Sequence, residues 1–218
     1  HTSNAMQPKK TPFDPAYCWM HGYKVRPGHT SVMCPAKATG HQAIVSGSCS
    51  IATQGQVAHY QSLGLPSWQF KPLSWSSHDV PAQIKSQVAQ ALAWAEPLLG
   101  KGPVLIYATT DAETLQKVQA KLGRAQAGEW MESALAQVSV GLQALGVKQW
   151  VIAGGETSGA CVQALNISQM QIGPQIDPGV PWCYAPQHAS GHLTLKSGNF
   201  GTPDFFTKAL KLLSETCA

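Results

Sequence analysis

From Gln42 onward, short unbroken apolar runs alternate with stretches whose apolar residues recur at helical spacing, the pattern of strands and helices taken in turn. Ala43-Ile44-Val45 is the first run and leads into Ser46-Gly47-Ser48-Cys49-Ser50. A helix through Val57 and Tyr60 follows and stops at Gly64, and a short strand is predicted around Trp68–Phe70. Val80, Ile84, Val88 and Leu92 recur every four positions, with Pro81 in a first turn, where a missing N–H does no harm; this helix ends near Gly100. Val104-Leu105-Ile106-Tyr107 is apolar at every position, as a strand covered on both faces would be. Met131, Leu135, Val138, Leu142 and Leu145 step by four and three, an amphipathic helix closed by Gly146. Trp150–Ala153 is a further buried strand that runs into Gly154-Gly155-Glu156-Thr157-Ser158-Gly159, after which the pattern turns helical through Val162 and Leu165. Leu193-Thr194-Leu195 is the last strand and leads to Lys196-Ser197-Gly198-Asn199-Phe200-Gly201. The final helix opens at Thr202-Pro203-Asp204, with Phe206, Ala209, Leu210 and Leu213 on its inner face.

These elements predict an α/β fold: a three-layer, open, mostly parallel sheet with helices on both faces, preceded by a short irregular N-terminal arm. Residues 6–42 carry Pro8, Pro12, Pro15, Pro27 and Pro35 and no apolar periodicity, so they cannot bury a core of their own. Residues 1–5, before Met6, read as a cloning remnant, and residues 43–218 as one domain. Charged residues make up 12% of the 218, about half the usual ~25%, which excludes a charged disordered chain and a coiled coil. A net charge of +4 is too weak to imply nucleic-acid binding, so no nucleic-acid partner is expected. No run approaches the ~18 apolar residues of a membrane span, and no secretory signal is recognisable, so a soluble, cytoplasmic protein with no membrane partner is expected. Six cysteines do not make a disulfide framework, and Cys49, Cys161, Cys183 and Cys217 read as free thiols.

Three loops share one design: Ser46–Ser50, Gly154–Gly159 and Lys196–Gly201 each leave a buried strand and lead toward a helix. In an open parallel sheet, ligands bind at the carboxyl ends of strands, where such loops gather. Glycines let the backbone come close to a phosphate, and helix N-termini offer unpaired N–H groups to an anion. Lys196 adds a full positive charge, and the hydroxyls of Ser48, Thr157, Ser158 and Ser197 can donate as well. No loop fits the P-loop pattern or the Gly-x-Gly-x-x-Gly fingerprint. The residues alone therefore point to an anion or nucleotide site and leave open that each loop is an ordinary tight turn.

Gly154-Gly155-Glu156-Thr157-Ser158-Gly159-Ala160, then Pro178-Gly179-Val180-Pro181-Trp182, then Leu195-Lys196-Ser197-Gly198-Asn199-Phe200-Gly201 with Asp204-Phe205-Phe206, resemble the C-terminal domain of the four-carbon acid sugar kinase family. Gly47-Ser48-Cys49-Ser50 with Thr53 and Gln56 is similar to the first loop of that domain, so the likeness covers roughly residues 43–216. The resemblance implies an ATP-dependent kinase that phosphorylates threonate, erythronate or 3-oxo-tetronate. Carried across, Ser46, Ser48, Ser50, Gly154, Gly155, Glu156, Thr157, Ser158 and Gly198 would contact ATP or ADP. Lys196 and Glu156 are the catalytic candidates: the first would neutralise phosphate charge, and the second would orient Mg²⁺ through water or merely cap its own loop. Family members also have an N-terminal acid-sugar domain, for which too few residues precede position 43. The expectation is that this chain binds ATP weakly, and that a four-carbon acid is its partner only together with that other domain. The oligomeric state stays open, a homo-oligomer included.

The arm carries its own signal. Cys18-x₂-His21-x₇-His29-x₄-Cys34, with His41 beyond it, offers ligands of the type and short spacing that Zn²⁺ takes, and its ending is similar to that of retroelement zinc knuckles. The alternative is a solvated arm with incidental histidines and thiols. A competing reading of the whole chain follows: a non-catalytic nucleotide-type module whose zinc-knuckle-like arm meets a partner or nucleic acid. Trp130, Trp150 and Trp182 read as core, Asp111 and Glu113 as the opening of a helix, and His188 and His192 receive no role.

Overall fold

Seven strands and six helices alternate along the described residues of the structure, a computed structural model that describes residues 38–75, 79–186 and 191–216. Strand β1 (His41–Ser46) is followed by α1 (Ile51–Ser62), β2 (Ser67–Gln69) and a 3₁₀ turn at Pro72–Ser74. Helix α2 (Val80–Leu99), β3 (Val104–Tyr107), α3 (Ala112–Leu122), α4 (Arg124–Ala144) and β4 (Val147–Ala153) come next. The chain ends with α5 (Gly155–Ala164), β5 (Gln171–Asp177), β6 (Val180–Ala185), β7 (Gly191–Lys196) and α6 (Phe205–Thr216).

The sheet order is β2-β3-β1-β4-β7-β6-β5. The first five run parallel, and the β5–β6 hairpin closes one edge antiparallel to β7. Side chains alternate between the faces, as the period-two geometry of a strand requires. Ala43, Val45, Ile106, Trp150, Ile152 and Leu193 pack with α2, α3, α4 and α5, whereas Ile44, Leu105, Val151 and Ala153 pack with α1 and α6. The central layer is therefore buried on both sides, and each fully buried Ile or Leu contributes about 1.5–3 kcal/mol.

The helices start where local chemistry says they should. Asp79 accepts from the Ala82 amide ahead of α2, and Asp111 accepts from the Thr114 amide at 2.8 Å ahead of α3. Such caps satisfy N–H groups that have no partner within the helix. The mostly parallel three-layer fold expected from the pattern is the fold observed. Helix α4 begins at Arg124, earlier than the apolar stripe from Met131 indicates, because of its first two turns only Ala127 is core. The β5–β6 hairpin escapes the periodicity altogether: β5 is an edge strand interrupted by Gly173 and Pro174, a position where a missing N–H is tolerated.

Candidate functional site

The outgoing connection of β1 leads toward β2 on one edge of the sheet, and that of β4 leads toward the β5–β6–β7 side. Adjacent parallel strands whose connections part in this way open a crevice at their carboxyl ends, the topological switch point of an open sheet. The three small-residue loops meet there. The amides of Gly47 and Ser48 donate to the Ala153 carbonyl at 3.0 and 3.3 Å, and the Gly154 amide donates to the Lys196 carbonyl at 2.8 Å. Ser50 Oγ and Thr53 Oγ1 in turn donate to the Gly198 carbonyl at 2.5 and 2.9 Å, so the first and third loops are joined directly.

Their closeness demands glycine. Gly154 has φ +125°, and a Cβ there would lie 2.9 Å from Thr157 Oγ1 and 3.2 Å from the Ser48 nitrogen. No side chain caps α5, whose first residues follow Gly154 directly. Its opening N–H groups are thus available to an anion, and the helix dipole adds positive potential. Helix α1 differs, because Ser50 Oγ accepts from the Thr53 amide at 3.2 Å and fills that terminus from within.

A cleft of about 920 Å³ opens beside α5. Gly47, Ser48, Cys49 and residues 154–157 line it, together with Leu115, Val118, Met131 and Leu135 from α3 and α4. The lining therefore combines backbone donors and hydroxyls with apolar side chains. Arg124, Glu129, Glu132 and Glu156 stand among the lining residues. Burial, then the negative charges of Glu156 and Glu129, raises the Glu132 carboxyl above its usual range. Burial likewise raises the Cys49 thiol, so it is not a poised thiolate.

Ser48, Gly154, Gly155, Glu156 and Thr157 line the cleft, with Glu156 exposed at its rim. Ser46 is buried beneath it, its hydroxyl 2.7 Å from Thr109 Oγ1. Ser50 serves the cap and the Gly198 carbonyl. Ser158 is buried in the first turns of α5, and its hydroxyl has no hydrogen-bond partner among the described residues. Lys196 is fully buried under the loops. Its ammonium donates to Thr53 Oγ1 at 2.9 Å, to the Ser197 carbonyl at 3.2 Å and to the Gly198 carbonyl at 3.0 Å. No carboxylate pairs with it among the described residues, and burial pulls it down to about 8.

Among the described residues no group of three or more His, Cys, Asp or Glu is arranged to hold a metal ion. The proposed zinc ligands Cys18, His21, His29 and Cys34 lie outside the described residues. His41 is placed in β1, where its backbone N–H donates to the Gly146 carbonyl at 3.0 Å. Trp150 and Trp182 are core, and Trp130 packs partly buried against it.

The apolar wall was not identifiable as a site from sequence: Met131 and Leu135 read as an ordinary core stripe, and α3 only as a capped helix. A role for Gln56 was also missed. Its side-chain amide donates to the carbonyls of Phe200, Gly201 and Thr202 at 3.0, 3.1 and 3.1 Å, tying α1 to the loop after β7.

Comparison with known proteins adds a family to this geometry. The family described as nucleotide-binding C-terminal domain matches residues 43–206. A 3-oxo-tetronate kinase of Burkholderia multivorans is 47% identical over 174 residues, which is 80% of this chain and 39% of that protein. A 3-oxo-tetronate kinase of Pseudomonas fluorescens is 43% identical over 178 residues, 82% of this chain and 40% of that protein. A crystal structure of a Haemophilus influenzae protein superposes with a TM-score of 0.71 at 32% identity, over 82% of this chain and 42% of that one. The chain thus spans about two-fifths of the length of the relatives it matches. No helix among the described residues is long and apolar enough to cross a membrane.

Proposed function

The chain belongs to the nucleotide-binding C-terminal domain family of the four-carbon acid sugar kinases, and we propose that its cleft holds the ATP from which 3-oxo-tetronate is phosphorylated. The observation that carries this reading is the meeting of three loops around the uncapped start of α5. In this reading the phosphates lie against Ser48 and the amides at Gly155, Glu156 and Thr157, and the base and ribose lie along Leu115, Val118 and Met131. Phosphoryl transfer asks a protein mainly to position its partners and stabilise charge on the transferring group, and preorganised N–H donors with a helix dipole do both.

Mg²⁺ keeps most of its water and binds through phosphates with one or two carboxylates. Glu156 at the rim, within electrostatic reach of Glu132, suits that outer role and not a closed protein cage. When bound, the ion would neutralise phosphate charge. Lys196 adds positive potential from below the loops. Recognition of the four-carbon acid is assigned to the part of the relatives that lies beyond the matched two-fifths.

Isothermal titration of the chain with ATP-Mg tests the binding step, and an ADP-release assay with 3-oxo-tetronate tests transfer. Heat of binding that disappears on changing Gly154→Ala is the expected result. Absence of binding at millimolar nucleotide would overturn the reading.

A further inference from the structure

Three side chains close on one carbonyl. The oxygen of Gly198 accepts from Ser50 Oγ at 2.5 Å, Thr53 Oγ1 at 2.9 Å and Lys196 Nζ at 3.0 Å. Two of these donors come from α1 and its cap and the third from β7, so one carbonyl joins the first loop, α1 and the end of β7. The three ammonium hydrogens of Lys196 are matched by three oxygens, Thr53 Oγ1 and the carbonyls of Ser197 and Gly198. For Lys196 to reach a phosphate, at least one of these bonds would have to break inside a buried site, at the desolvation cost such a loss carries. An ammonium held only by neutral oxygens is also an expensive way to fill a core, where an apolar side chain of similar size avoids the desolvation.

Resting on the nucleotide reading above, we propose that Lys196 is a positioning residue. With Ser50 and Thr53 it fixes the Gly198–Asn199 peptide so that the Asn199 N–H is a preset phosphate donor beside Ser48. The peptide is trans, so its N–H points away from its carbonyl. With the carbonyl turned inward onto buried Lys196, the N–H faces outward. Asn199 is exposed, and among the described residues its N–H donates to nothing. Gly198 sits against Ser48, a residue of the cleft lining: a Cβ on it would lie 2.6 Å from Ser48 Oγ. The third loop thus adds one oriented backbone donor to those of α5, and Lys196 acts on the ligand through that donor.

The test uses Lys196→Met, Thr53→Val and the double variant. In the nucleotide-free chain, amide exchange at Phe200, whose N–H donates to the Ser197 carbonyl at 3.2 Å, is expected to speed up about tenfold in Lys196→Met, with Ile152 in β4 unchanged. Unaltered exchange in that loop would overturn the proposal. ATP affinity is expected to fall about tenfold in each single variant and no further in the double, with adenosine binding unmoved. Additive losses would mark Lys196 as a direct phosphate ligand and overturn the proposal as well. If the unaltered chain binds no ATP, the nucleotide reading fails while the exchange comparison still decides the role of Lys196. If Lys196→Met does not fold, Thr53→Val gives the exchange reading instead, since it removes one donor to the Gly198 carbonyl and one acceptor of the ammonium while keeping the lysine.

Discussion

Gly154 carries the tightest single requirement in the site. Its φ of +125° is one that side-chain-bearing residues rarely adopt, and an added Cβ would press on Thr157 and the Ser48 amide. Gly154→Ala is expected to lower stability by about 1–3 kcal/mol and to displace the start of α5, with nucleotide binding lost; urea unfolding and calorimetry check the two effects. Lys196 makes a second prediction. Burial lowers it from 10.5 to about 8, so the unfolded chain binds more protons than the folded chain between those values. Its contribution to stability therefore rises with pH across that window. Relative to Lys196→Met, the unaltered chain should gain about 2 kcal/mol in unfolding free energy between about pH 7.5 and about pH 9.5. A difference that stays flat would show that the ammonium is solvated. At this scale the sequence was informative about residue type and less so about role. Ser48, Gly154 and Thr157 do line the cleft, but Ser46 and Ser50 are engaged in internal bonds that no spacing pattern announces.

Between elements, side-chain bridges set how the loops are held. Gln56 lies fully buried in α1 and donates to three successive carbonyls ahead of α6, while Trp182 in β6 donates from its indole N–H to the Ala209 carbonyl within α6 at 2.9 Å. Gln56→Leu keeps the volume and strips the side-chain donor from three part-buried carbonyls. A stability loss of about 1–3 kcal/mol is expected, with faster amide exchange confined to residues 200–204, read by urea unfolding and hydrogen exchange. No change in either would mean that water replaces the amide. Helices α2 and α6 and strands β3 and β4 were legible because their apolar spacing is regular and their ends carry proline, glycine or a capping side chain. The β5–β6 hairpin was not, since an edge strand with one covered face and a central Gly-Pro pair has no period to detect.

Over the whole molecule, strand order turns three separate loops into one site. No local pattern records that β1, β4 and β7 are neighbours; that follows from long-range pairing, with Val45 opposite Ile152 and Ile152 opposite Leu195. The sequence supported loops of one kind on an α/β scaffold, and the sheet places them on one edge. The apolar wall from α3 and α4 comes from the crossover between β3 and β4, again a matter of topology. The most direct measurement is the amide NMR spectrum of the chain titrated with ADP-Mg. The account predicts saturable shifts concentrated at residues 47–50, 154–158 and 197–199, with smaller ones along Leu115, Val118 and Met131. Saturable shifts that fall elsewhere and leave the amides of Gly155 and Glu156 unmoved would contradict it.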